Sequence, residues 1–150
     1  MGLLRMIKYV VGFAFSRYGN NVALIEKRKP EWQKGKLNGI GGKIEDGEMH
    51  IDAMVREFKE ETGVVTYPDV WTYLSQMRGK DYTLDVFKAF LHPVEFRAIR
   101  SMEEEEVRVY DVRKLFDRMI EGTTDTIHNI PMLIAMCLSD DQPPRIIDYR

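Results

Sequence analysis

The sequence predicts an α/β domain in which helices cover both faces of a mixed β-sheet. Two observations carry that prediction. Runs rich in Val, Ile and aromatic residues recur along the chain as strands. Segments of helical period stand between them instead of gathering at one end. The 150 residues, 44% hydrophobic and 31% charged, read as one domain large enough to bury a core without staples.

Taken in order, residues 6–15 form a first strand. Arg17-Tyr18-Gly19-Asn20-Asn21 makes a turn, and residues 22–26 return as a second strand. A basic loop, opened by Lys27-Arg28-Lys29-Pro30, runs to residue 36. Residues 37–40 are a short extended piece that enters a glycine turn at Gly41 and Gly42. The helix that follows spans residues 50–62. Ile51, Val55 and Phe58 recur on one face of it at helical spacing and pack inward, and Gly63 takes the left-handed position that stops it. Residues 70–77 and 83–92 form a hairpin around Gly79-Lys80-Asp81. A strand at 106–112 and helices at 113–120 and 130–138 complete the order. The tail from residue 140, with Pro143 and Pro144, reads as irregular.

Composition excludes several classes. No apolar run approaches the roughly 20 residues of a membrane span. The first six residues are too short and too charged for a secretory signal, and Met6 stands where a myristoylation signal needs Ser or Thr. Cys137 has no partner with which to form an internal disulfide, reads as a small buried hydrophobe, and suits a reducing cytoplasm. A net charge of −2 with pI near 6.0 argues against a nucleic-acid polymer as main partner. His50, His92 and His128 have no ligand spacing, so zinc is not implied.

The polar face of the 50–62 helix carries the chemistry. Glu57 and Glu61 stand one turn apart, Glu60 lies beside them, and Arg56 pairs with Glu60 at i+4. Carboxylates this dense repel one another unless something neutralises them. A divalent cation such as Mg²⁺ is suited to that, because it prefers hard oxygen ligands. The spacing predicts that Glu57, Glu60 and Glu61 converge on one patch while Arg56 holds one of them, with Glu48 reaching back to Arg56. The pattern looks like a metal site for phosphate chemistry.

The pattern Gly42, five residues, Glu48, seven residues, then Arg56-Glu57-Phe58-Lys59-Glu60-Glu61-Thr62-Gly63-Val64 resembles the Nudix box. Phe58 stands where the family usually has an aliphatic residue. The resemblance spans roughly residues 5 to 138 and implies an α/β/α sandwich with the box as a loop-helix-loop motif. It implies Mg²⁺, with Mn²⁺ as its substitute, held by Glu57, Glu60, Glu61 and the Gly41 carbonyl, and catalytic carboxylates oriented by Arg56. Gly42, Glu48 and Gly63 are its structural positions. Lys43 is placed to meet phosphate. Of Glu103-Glu104-Glu105-Glu106, Glu105 or Glu104 is expected to serve as base or extra ligand.

The family hydrolyses nucleoside diphosphates linked to a variable group, here most simply a nucleoside triphosphate cut to monophosphate and pyrophosphate. Asn38 resembles the base-meeting Asn of the oxidised-purine triphosphatases, and Asp125 one of their two paired acids. Thr126 replaces the second acid, and Thr123 a neighbouring Trp. Tyr82 resembles the downstream Tyr of dinucleoside polyphosphate hydrolases. The resemblance also admits ADP-ribose or FAD-type cleavage and a non-catalytic nucleotide-sensing domain. The partner is a small nucleotide with no membrane, and a homodimer is allowed.

Overall fold

A computed structural model describes residues 5–142 and 144–148 of the chain. Residues 1–4, read above for targeting signals, and Pro143 lie outside them.

Among the described residues eight strands form one mixed sheet: β1 (Ile7–Ser16), β2 (Asn21–Glu26), β3 (Leu37–Asn38), β4 (Ile40–Lys43), β5 (Thr72–Arg78), β6 (Tyr82–Leu91), β7 (Glu106–Asp111) and β8 (Ile146–Asp148). The main path runs β3-β2-β1-β6-β5-β8, with β4 added to β1 and β7 to β2. At the centre β1 and β6 run parallel along their whole length, from Ile7 opposite Tyr82 to Ser16 opposite Leu91. The other neighbours are antiparallel except β5 and β8.

Helices α1 (His50–Thr62) and α2 (Pro93–Arg97) cover one face; α3 (Val112–Glu121) and α4 (Ile130–Leu138) cover the other. Alternation along β1 explains its unbroken apolar run. Val10 and Ala14 point to the α1 side, and Val11, Phe13 and Phe15 to the α4 side. A strand buried on both faces has no polar side to show. Phe58, Met54 and Ala53 of α1 are fully buried, whereas Ile51 and Val55 are only partly so.

Two expectations are corrected, and one element is new. Gly41 and Gly42 are not a turn: they lie in β4, opposite Val11 and Val10 of β1. Glycine is needed there for close approach, since a Cβ on Gly41 would collide with the Val10 carbonyl oxygen. The tail is not wholly irregular, because β8 adds a parallel edge strand to β5. The Ser75 hydroxyl also donates to the Pro144 carbonyl (2.6 Å), and the Gln76 N–H to the Arg145 carbonyl (2.9 Å). Finally, α2 was not foreseen; Pro93 opens it, and His92 Nδ1 accepts from the Val94 N–H.

Candidate active site

Helix α1 ends where the sequence says it should. Gly63 has φ +78°, and its N–H donates to the Lys59 carbonyl at 2.9 Å. That fixes the turn bearing Arg56, Glu57, Glu60 and Glu61.

Arg56 is the hub. Its Nε and Nη2 donate to the two Glu48 oxygens at 2.8 and 2.9 Å, a two-pronged contact. Nη2 also donates to the Lys43 carbonyl (3.0 Å), and Nη1 to Glu57 Oε1 (2.8 Å) and Glu60 Oε2 (3.3 Å). Glu48 holds the guanidinium pKa far above its ordinary value, against the opposing effect of burial, with help from Glu57. The same contact with Arg56 holds the Glu48 carboxyl low, more than offsetting its slight desolvation.

Glu57 and Glu61 behave differently. Burial raises both. In Glu57 the Arg56 hydrogen bond opposes the rise, and Glu60 and Glu103 add to it. In Glu61 burial comes first and the Glu57 charge second, and the carboxyl is pushed up to about 8, against Lys27. Glu61 Oε2 is buried without a hydrogen-bond partner. Buried polar oxygens rarely stay unpaired, so this carboxylate is shaped for a partner that the chain itself does not supply.

Gly42 has a specific use here. A Cβ on it would fall 2.6 Å from Glu57 Cδ, so the glycine makes room for the carboxylate against β4.

The expected convergence of three carboxylates is not met. Among the described residues no three His, Cys, Asp or Glu side chains gather closely enough to hold a metal ion. Glu57 and Glu61 feel each other, but Glu60 turns outward to Arg56. Repulsion among like charges, with a guanidinium available on one side, accounts for the split. A carboxylate oxygen such as the unpartnered Glu61 Oε2 is the kind of donor that a hard divalent cation takes.

On the other side of Gly41 and Gly42 lies a cavity of about 380 Å³ between the sheet and α4. Tyr9, Tyr82, Trp32, Lys27, Asn38, His128 and Asn129 line it. Tyr9 and Tyr82 meet edge to face at 6.2 Å. Asn38, whose Oδ1 accepts from the Gly39 N–H at 2.8 Å, is one of the polar residues in that lining. Trp32 is exposed at the rim, while Trp71 is buried and donates to Thr66.

Asp125 is not brought to this wall. Its side chain is exposed, and its carbonyl accepts from the Leu37 N–H, zipping the segment to β3. The Lys43 side chain is exposed too. Glu105, expected as the base, is engaged elsewhere: it accepts from Lys27 Nζ at 2.9 Å and from the N–H groups of Arg28 and Lys29. Burial pushes its carboxyl up, but these donors outweigh burial and hold it low. Glu103 is the loop carboxylate whose charge acts on both Glu57 and Glu61. Sequence reasoning missed Lys27, Tyr9, His128 and Asn129. A charge at the end of an apolar strand was the only signal for Lys27.

Residues 8–129 match the NUDIX domain family. The fold resembles a MutT from a study of Aliivibrio salmonicida and Vibrio cholerae, with TM-score 0.68 and 20% identity over 89% of this chain and 98% of that one. It also resembles a MutT/nudix family protein from Enterococcus faecalis, with TM-score 0.63 and 19% identity. That match covers 74% of this chain and 46% of that one, so this chain spans about half its length. A Deinococcus radiodurans protein gives TM-score 0.65 and 15% identity over 93% and 88%. None of the curated proteins matches. Enzymes with this domain generally hydrolyse nucleoside diphosphate-linked substrates and use divalent cations. The chain therefore belongs to the Nudix family and is a hydrolase of pyrophosphate bonds.

Proposed function

We propose that the chain hydrolyses a nucleoside triphosphate to monophosphate and pyrophosphate, with the nucleoside in the 380 Å³ cavity and the phosphates over the box helix. One observation carries this reading. Gly42, which with Gly41 lines the cavity, is also the residue against which the Glu57 carboxylate packs, so cavity and carboxylate share a wall. A site of this volume with aromatic walls and few polar groups suits a nucleobase.

Glu57, Glu61 and the Gly41 carbonyl would hold the divalent cation, with Glu60 turning in from its Arg56 contact to join them, as the unpartnered Glu61 oxygen supports. The cation, Mg²⁺ by preference or Mn²⁺, supplies positive charge at the anhydride oxygens. Arg56 orients Glu57 and Glu60. Water adds at one phosphorus, one P–O bond of the anhydride breaks, and a carboxylate takes the proton. Of the acidic-loop residues Glu103 fits that last role better than Glu105, which is committed to Lys27. Asn38 donates to an acceptor on the base. Lys43, exposed on β4, meets phosphate.

A dinucleoside polyphosphate is the second reading, favoured by Tyr82 in the cavity wall. Phosphate release is the test, across canonical and 8-oxo purine triphosphates, diadenosine polyphosphates, ADP-ribose and FAD. Each is assayed with Mg²⁺ or with EDTA, and with pyrophosphatase added to count products. Metal-dependent turnover of triphosphates supports the first reading, and turnover confined to diadenosine polyphosphates the second. Binding without turnover would leave a nucleotide sensor.

A further inference from the structure

The contact around Glu105 ties together parts of the chain that lie far apart in sequence. Its ion pair with Lys27 is largely shielded, the two side chains being 20% and 21% exposed. The second carboxylate oxygen is taken by backbone donors of the basic loop. Shielded pairs with extra hydrogen bonds differ from free surface pairs, because removing one partner leaves the other's polar atoms uncompensated. The segment bearing Glu105 is anchored at its far end to the box helix. The Met102 N–H donates to the Glu61 carbonyl and the Arg100 N–H to the Thr62 carbonyl, both at 3.1 Å. Ser101 Oγ accepts from the Val107 N–H at 2.8 Å and donates to its carbonyl at 3.2 Å, closing the loop on itself. On the other side, Lys27 lines the cavity, and so do Pro30 and Trp32 of the same basic loop.

We propose that Glu105 is a positioning residue: a cross-brace that fixes Lys27 and the basic loop as cavity wall and the Glu103 segment beside Glu57 and Glu61. It couples the nucleoside cavity to the box carboxylates and does not touch the reacting atoms. The assignment of the cavity's ligand rests on the function proposed above; the brace itself rests on the contacts.

The test compares wild type with Glu105→Ala, Lys27→Met, the double variant and Lys27→Arg. Each is read for kcat and KM on the substrate that wild type turns over. Each is also read for Mn²⁺ affinity, from free Mn²⁺ by electron paramagnetic resonance without nucleotide. Either single substitution to an apolar residue should raise KM about tenfold and weaken Mn²⁺ binding, as loss of an outer-shell partner does. The double variant should be no worse than the worse single, because the brace is lost only once. Lys27→Arg, which keeps the pair, should restore near-wild-type values.

Multiplying losses in the double variant would overturn the brace. So would a Glu105→Ala loss confined to kcat, which would mark a group acting on the attacking water. If Glu105→Ala fails to fold, the Lys27 pair decides, and a wild-type-like Lys27→Met overturns the proposal. Wild type inactive on every nucleotide would defeat the proposed function, yet the Mn²⁺ comparison would still judge the brace.

Discussion

Glu61 illustrates how one buried atom sets a titration. Its carboxyl is raised to about 8 in the fold, above the roughly 4.3 of an unfolded chain. The fold therefore favours the protonated form. Its stabilising contribution is complete below the unfolded value and is lost as pH rises through about 8. Metal-free protein should melt at progressively lower temperature from pH 5 to 9 in EDTA, and Glu61→Gln should flatten that slope. A divalent cation favours the ionised carboxylate and should reverse the trend. Gly42 gives a second prediction. With Glu57 Cδ 2.6 Å from any added Cβ, Gly42→Ala must displace the carboxylate. A displacement near 1 Å costs about 100-fold in rate, so kcat should fall by that order while circular dichroism stays unchanged. Glu57→Gln and Glu60→Gln should each abolish turnover in the phosphate-release assay with the fold intact. The box was legible at this scale because helical spacing alone places Arg56 beside Glu60. The departure of Glu60 from its neighbours was not, because rotamers answer to charges from other segments. Glu105 escaped for the same reason: its partners lie in the Lys27 loop, and no local pattern announces them.

Among the elements, α1 was the most readable, and its bounds at His50 and Thr62 match those expected from periodicity and the closing glycine. Gly63→Ala would force φ +78° on a residue with a Cβ. It should cost about 1 kcal/mol in urea denaturation, with the m-value unchanged. Apart from β4 and β8, strands were readable to within about two residues, helped in β1 and β2 by apolar residues on both faces. The glycine pair misled because glycine serves two ends: it permits turns, and it permits close approach. At Gly41 the second applies, and only the partner strand reveals it. Edge strand β8 was hidden by the neighbouring prolines, its three residues being stable only because β5 offers an unpaired edge.

For the molecule as a whole, the position of β8 separates stability from chemistry. It lies at the sheet edge opposite β3, away from the cavity wall at Asn38. Ending the chain after Ser139 should lower stability by about 1–2 kcal/mol, the scale of a few backbone hydrogen bonds. It should also leave kcat within about twofold; a lost kcat would show that the tail reaches the site. The sandwich itself was legible, because strands interleaved with helices leave few other arrangements. The pairing of β1 with β6 was not, since nothing local to either strand names its neighbour. That central ladder has a further consequence for how the protein is made. Every rung joins residues 7–16 to residues 82–91, and the entire box lies in the segment between. During synthesis the first strand gains its complete parallel partner only when residue 91 has emerged, so the central ladder closes after the whole box has been made. Pairings between such distant segments also slow folding, which makes the closing of the β1–β6 ladder a late event in the fold.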